Sequence, residues 1–481
     1  MAKRRAAGYY RQVGTTASGA QIRCRSRQIA TGPKEAVIHQ HDAGRRARVL
    51  AGYRWALLAL GGFLLLAFGA IVDLRRGFLF DHYAFKSAWY AFSPWHVVML
   101  GVALPGILGT YRYLVTKERE HDRRDLEIQA RLFALGLFFL LVADLLVYRG
   151  VAAGRIASSG ELSLGWLNAF GATGWLRPPA LAASYLLTVW HATFLGILLA
   201  GLALTALPRY MSSFLRRTGA RGSLLGAAFS ISQPFCSCCA AVALPSLAAS
   251  GASRYFLLAF AVGSPMLNVT SIILAIALLP AQYVLVRVLA GIALAVPVTY
   301  AMVKIADGMF HSAHADPSAR GPVQGPAQTR RWSDFYYRIF HFDGMLEGRR
   351  SDTPATLVAT WLATSGRIAL LTVPAMVIFS TATAAIIQVL PDSYGNNGAS
   401  VLLAAVAGTF LMVPTWTEIG VSRQMLEAGL TGPAATVLVV LPAVSLPSLL
   451  IIGGAVRRLR TVALLALAVI ALGAIAGFIL L

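Results

Sequence analysis

Long apolar runs separated by short, mostly basic polar stretches set the pattern of this chain. Nine of the runs reach the twenty or so residues that a helix needs to cross a hydrocarbon core. They fall at approximately 52–72, 95–115, 129–149, 180–207, 255–279, 283–303, 368–390, 433–453 and 461–481. None has the period-two alternation of a membrane barrel strand. Lipid offers open backbone groups no partner, so the pattern predicts spanning helices. Two further apolar stretches, 222–249 and 399–428, are interrupted near their middles by proline, glycine and small polar residues.

Positive charge orients the spans. The amino-terminal stretch carries Lys3, Arg4, Arg5, Arg45, Arg46 and Arg48, which predicts a cytoplasmic, disordered tail over 1–51. Its basic part is too long for the leading region of a secretory signal. Two crossings later Lys117, Arg119, Arg123 and Arg124 return to the same side, and two more bring Arg209, Arg216, Arg217 and Arg221 there. If 222–249 crossed fully, the basic loop from Lys304 to Arg350 would fall outside. A re-entrant hairpin keeps it inside. The same reasoning places 399–428 as a hairpin on the opposite face, so that Arg457, Arg458 and Arg460 stay cytoplasmic. Two similar hairpins dipping in from opposite sides are the mark of an inverted repeat.

The letters carry the same repeat. The first copy reads Pro234-Phe-Cys236-Ser-Cys238-Cys239, then Gly251, then Ser264-Pro265-Met-Leu-Asn268. The second reads Pro414-Thr-Trp-Thr-Glu418, then Gly429, then Leu441-Pro442-Ala-Val-Ser445-Leu-Pro-Ser448. Proline-to-glycine spacings are 17 and 15, and glycine-to-proline spacings 14 and 13. The expected fold is therefore an all-α polytopic membrane protein, about nine transmembrane helices plus two re-entrant helical hairpins in an inverted repeat. The expected organisation is peripheral transmembrane helices over 52–150, a first repeat over 180–303, a proline-bearing cytoplasmic linker over 304–354 and a second repeat over 355–481.

Composition narrows the function. Of 481 residues, 57% are hydrophobic and 13% charged, about half the charged share of an ordinary soluble protein, which excludes a soluble enzyme. The net charge of +22 would suggest nucleic acid on a soluble domain. Here the basic residues flank apolar runs and no basic stripe with interleaved aromatics lies outside them, so no nucleic-acid partner is expected. The partners predicted are the bilayer and a small solute; oligomeric state is left open. No nucleotide-binding loop of the Gly-rich, Lys-Ser/Thr type occurs, and no cofactor is expected.

At the cysteine stretch the sequence resembles the predicted permease family that includes ArsP-like organoarsenical efflux permeases and YraQ-like permeases, over roughly residues 180–480. Pro234-Phe-Cys236-Ser-Cys238, Gly251, Ser264-Pro265-xx-Asn268, Pro414, Gly429, Pro442 and Pro447-Ser448 carry the resemblance. It implies an inner-membrane permease of two related halves and, for some members, export of trivalent organoarsenicals. Cys239 stands where the family usually has glycine, and the second half lacks a cysteine that some relatives carry.

The candidate substrate-contacting residues are Cys236, Cys238, Cys239, Ser264, Asn268, Glu418, Ser445 and Ser448, with Pro234, Gly251, Pro265, Pro414, Gly429 and Pro442 shaping the breaks. Thiolates are soft ligands, and Cys236 and Cys238 could aim two sulfurs at one metalloid; equally, the cysteines could be small residues packing a tight turn. A redox-active pair is the lesser alternative, because the usual Cys-x-x-Cys spacing on a helix start is not expected here. The serines and Asn268 line a polar path or glue helices together. Glu418 is a proton-coupling candidate or the partner of Arg423. Asp144 is read as an i, i+5 pair with Arg149, and His191 as a donor to a neighbouring helix or a proton shuttle. Trp89, Trp95, Trp166 and Trp175 fit an interfacial belt. A membrane thiol oxidoreductase and a non-transporting membrane subunit are the competing functions.

Overall fold

Helices account for every regular element among the residues that the computed structural model describes, namely 33–76, 94–120, 123–160, 162, 165–210, 212–231, 235–249, 251–308, 352–389, 395–414, 416–456 and 458–481. The chain divides into two units, one up to Arg54 and one from Trp55 onward. Residues 33–51, expected as tail, already belong to the first helix, α1 (Pro33–Arg76). Then come α2 (Pro94–Lys117), α3 (Arg123–Ser159) and α4 (Arg177–Tyr210). Eight helices among the described residues are long and apolar enough to span a membrane, and a ninth if one bent pair counts as a span. The chain is an all-α polytopic membrane protein. Its surface agrees, since Leu132 is 64%, Phe139 61% and Leu370 78% exposed, a cost that water would impose and lipid does not.

Both interrupted stretches fold as pairs of short helices. The first is α5 (Gly219–Ile231) and α6 (Ser237–Ala249), each about 20 Å long. Its ends meet: Ser253 N donates to Leu215 O at 2.8 Å, and Ser253 Oγ donates to Arg217 O. A segment that returns to its own starting point is a hairpin. The second is α12 (Gly398–Phe410) and α13 (Thr417–Glu427). It closes in the same way, through Asn396, whose side chain donates to Thr431 Oγ1 at 3.0 Å and accepts from Gly432 N at 3.1 Å.

Glycine ends the second helix of both hairpins. Gly251 and Gly429 have φ of 82° and 78°, and the next residue in each case bonds back five positions, Ala252 N to Leu247 O and Leu430 N to Met425 O. This is the Schellman arrangement, which needs a left-handed residue that only glycine adopts without strain.

After each hairpin comes a broken span. In the first half α7 (Arg254–Leu267) stops at Asn268 and resumes as α8 (Val269–Leu278). In the second, α14 (Thr431–Ala443) stops at 444–445 and resumes as α15 (Leu446–Val456), bent by 41°. The expected spans 255–279 and 433–453 are therefore each two half-helices. A return helix follows in both halves: α9 (Ala281–Ala293), continuing through a π-helical turn at Leu294–Val298 into α10 (Thr299–Gly308), and α16 (Leu459–Ile479). Helix α11 (Pro354–Val389) opens the second half and packs along α4. The α7–α8 span is 83% buried, whereas the spans in α1 and α2 are 17% and 11% buried, so the broken helices hold the centre and the first helices the margin. The linker residues 309–351 lie outside the described residues.

Candidate functional site

Breaks in buried helices leave backbone carbonyls without partners, and a protein core must supply replacements. Here one side chain supplies two. Pro442 has no N–H, so Leu438 O, four residues earlier, loses its helical donor. The break at Asn268 likewise frees Pro265 O. Arg287, projecting from α9, donates Nη1 to Leu438 O at 3.3 Å and Nη2 to Pro265 O at 3.1 Å. Its Nη2 also donates to Glu418 Oε1 at 3.0 Å. Arg287 is 0% and Glu418 2% exposed, so this is a fully desolvated ion pair. It joins a first-half span to the first turn of α13, in the second hairpin. The alternative partner expected for Glu418 is corrected: Arg423 instead pairs with Glu427 at 3.0 Å and donates to Gly160 O.

Trp416 precedes Glu418 at the break of the second hairpin and holds φ of 75°, a left-handed backbone rare for a bulky residue. Its indole Nε1 donates to Ser271 Oγ at 3.1 Å, in the first turn of α8. The Arg149 guanidinium lies 5.1 Å from the Trp416 ring centroid. The Asp144 carboxylate lies 3.6 Å from His191 Nε2. A second such pair, His96 with Asp73 at 3.1 Å, joins α2 to α1.

The polar residues expected at the breaks are there, buried and bonded to backbone. Asn268 Oδ1 accepts from Ser271 N at 2.8 Å, and its amide donates to Ser264 O at 3.0 Å. Ser264 Oγ donates to Phe260 O. In the second half the direction reverses: Ser448 Oγ accepts from Ser445 N at 2.7 Å and donates to Ser445 O. The two reciprocal bonds of a capping box are thus divided between the halves, one on each resumed helix. Pro265 and Pro442 sit just before the breaks, and Pro414, buried, turns the second hairpin by accepting from Thr417 N.

The first hairpin breaks at the cysteines. Residues 232–234, Pro234 included, lie outside the described residues, and so does the Cys238 side chain. The structure brings Cys236 together with Cys239: their sulfurs are 3.0 Å apart, and Cys239 N donates to Cys236 Sγ at 3.3 Å. The expectation that no Cys-x-x-Cys pair sits on a helix start is corrected, because Cys236 and Cys239 have that spacing and Cys236 immediately precedes α6. Cys236 packs in one apolar cluster with Met412 and Val413 from the break of the second hairpin, so the two breaks share a neighbourhood. The halves also exchange partners. Helix α6 packs on α15, and α13 on α8.

Sequence reasoning missed Arg287, although one arginine within an otherwise apolar span was the available signal. Trp416 gave no signal beyond its place beside Glu418. Of the expected aromatic belt, Trp95 and Trp175 are exposed at 59% and 83%. Trp89 lies outside the described residues, as does the Trp166 side chain. A separate, almost wholly apolar cavity of about 450 Å³ lies between α4 and α11, lined by Leu186, Trp190, Phe194, Leu362 and Met376 among others, and none of the break residues contributes to it.

A family described as predicted permease matches residues 179–481, from α4 to the end of the second half. The UPF0718 protein YraQ of Escherichia coli (strain K12) is 28% identical over 332 residues, covering 66% of this chain and 86% of that protein. The UPF0718 protein MJ0584 of Methanocaldococcus jannaschii is 29% identical over 133 residues, 26% of this chain and 36% of that protein. No solved structure matches.

Proposed function

This chain belongs to the predicted permease family, and from that premise we propose that it is a secondary-type transporter whose two halves, related as an inverted repeat, rock about the broken helices. Residues 180–303 and 355–481 are the halves, and the first three spans are a peripheral addition. The protein resides in the inner membrane with its amino terminus in the cytoplasm. The observation that carries the reading is the Arg287–Glu418 pair. It ties α9 of one half to the hairpin of the other, and the same guanidinium holds carbonyls freed by both broken spans. A bond network of that kind has two arrangements available, made and broken, as alternating access requires. Protonation of Glu418 removes its charge and releases Arg287 to its remaining carbonyl partners, which gives a proton a route to drive the exchange.

The substrate class is a thiophilic metalloid, a trivalent arsenical in the first instance. Support comes from the soft sulfurs at the first hairpin break and from the start of α6 beside them, where aligned backbone dipoles add a fixed field. The test is flux of methylarsenite and a panel of soft metal ions in proteoliposomes, with wild type, Cys236→Ser/Cys238→Ser and Glu418→Gln. Wild type should carry methylarsenite, the cysteine variant should lose it, and Glu418→Gln should lose its dependence on a pH gradient. Equal flux in wild type and cysteine variant would remove the thiols from the transport path. Absence of flux for every soft solute would remove the substrate class.

A further inference from the structure

The arrangement of Cys236 and Cys239 carries more than soft-ligand chemistry. Cys236 immediately precedes α6, and three residues on, Cys239 lies in its first turn. At a helix start these two positions face each other, which is why a capping side chain reaches the third amide. Here the capping atom is sulfur: Cys239 N donates to Cys236 Sγ. The same geometry brings the two sulfurs to 3.0 Å. A disulfide needs about 2.05 Å, so closure asks for a movement of roughly 1 Å. The two sulfurs differ in access. Cys236 is half-buried, whereas Cys239 is 6% exposed, with its Sγ 3.9 Å from Ala192 O and its side chain against Gly196. One thiol can meet an incoming reagent. The other can meet only its neighbour.

We propose that Cys236 and Cys239 form a dithiol–disulfide exchange site, with Cys236 attacking and Cys239 resolving, and with a small, uncharged organic disulfide as co-reactant. The amide of Cys239 and the dipole of α6 stabilise negative charge on the Cys236 sulfur, the form that attacks. Cys236 sulfur bonds to one sulfur of the disulfide, the reagent's S–S bond breaks, and the expelled thiolate leaves with the Cys236 proton as a thiol. Cys239 sulfur then bonds to Cys236 sulfur and expels the second thiolate, which takes the Cys239 proton. Two protein thiols are oxidised and one disulfide is reduced to two thiols. The exchange reverses with excess thiol. It is independent of whether solute crosses the protein.

The experiment uses the full chain in detergent or proteoliposomes with 4,4′-dithiodipyridine as the disulfide. In a Cys24→Ser/Cys238→Ser background, the expected result is two pyridinethiones released per chain, a protein mass lowered by two hydrogens and no retained pyridyl group. Adding Cys239→Ser should release one pyridinethione and retain one pyridyl adduct. Disulfide mapping of the oxidised wild type by mass spectrometry needs no substitution and should return a Cys236–Cys239 linkage. A linkage involving Cys238, or two stable pyridyl adducts with no closure, overturns the proposal. All readouts are chemical, so a protein that carries no arsenical can still pass, and one that carries arsenical can still fail.

Discussion

A charge buried without its partner is among the costliest defects a single residue can introduce, and Arg287 and Glu418 are each one substitution away from it. Both are almost completely excluded from solvent. Glu418→Gln leaves a buried guanidinium with two carbonyls and no counter-charge, and the expected loss is about 3–5 kcal/mol. Replacing both partners, as Arg287→Met/Glu418→Leu, removes the desolvation penalty along with the attraction and should restore most of that loss. Thermal unfolding in detergent measures the series. A double variant as unstable as the single one would mean that the two freed carbonyls, rather than the ion pair, dominate. The sequence made Glu418 conspicuous because an acid in an apolar stretch is rare. Its partner stayed hidden because 131 residues separate them and pairing across halves leaves no local spacing to read. Arg423 was the nearest cation in sequence, but at i+5 it lies on another face of the helix, and Glu427, at i+4 from it, took it. The cysteines show the same limit. Spacing alone could not say where α6 starts, and that start brings Cys236 and Cys239 together.

At the level of elements, the hairpins were legible nearly to the residue because their punctuation is chemical. Proline and small residues mark the breaks, and Gly251 and Gly429 mark the ends. The broken spans were not, since an apolar run with one Asn or Ser near its centre reads as continuous by hydropathy. The start of α11 was missed for the opposite reason. Thr360, Thr364 and Ser365 lower the apolar signal before 368, yet all three are buried, and Ser365 fills the space left beside Gly201 of α4. Small residues permit that close helix contact within a membrane. The glycine ends give a clean test. A Cβ at Gly429 would meet no heavy atom within 4 Å, so Gly429→Ala isolates the cost of a left-handed backbone, about 1–2 kcal/mol. Gly251→Ala should cost slightly more, because its Cβ would approach Arg216 Nε to 3.2 Å, although that side chain can yield. Asparagine at either position should recover part of the loss. Chemical denaturation of the four variants decides it. A neutral Gly429→Ala would mean that the base of the second hairpin relaxes and that the Schellman turn is not needed there.

For the whole molecule, the question is whether the two hairpin bases face opposite sides of the membrane, and a chain of hydrogen bonds supplies the reasoning. The first base lies at Ser253, where α7 begins. One crossing later the chain turns before α9, and there Tyr283 donates to Thr431 O, at the second base. The return through α9 and α10 ends near Ala306, whose carbonyl accepts from Arg458 at 3.3 Å. From there α16 crosses again to Leu481, whose carbonyl accepts from Asn396, again at the second base. The shorter route places one crossing between the bases and the longer one three, an odd number in each case. Cysteines introduced singly at Thr218 and Ala428, exposed positions at the two bases, in a chain whose four native cysteines are serine, should react with a membrane-impermeant maleimide from opposite sides of oriented vesicles. Labelling of both from one side would leave each hairpin intact but remove the mirror relation between halves. Alternating access by exchange of two inverted halves would then have no structural basis, since a rocking motion exposes a central site to each side in turn only if the halves are oppositely disposed.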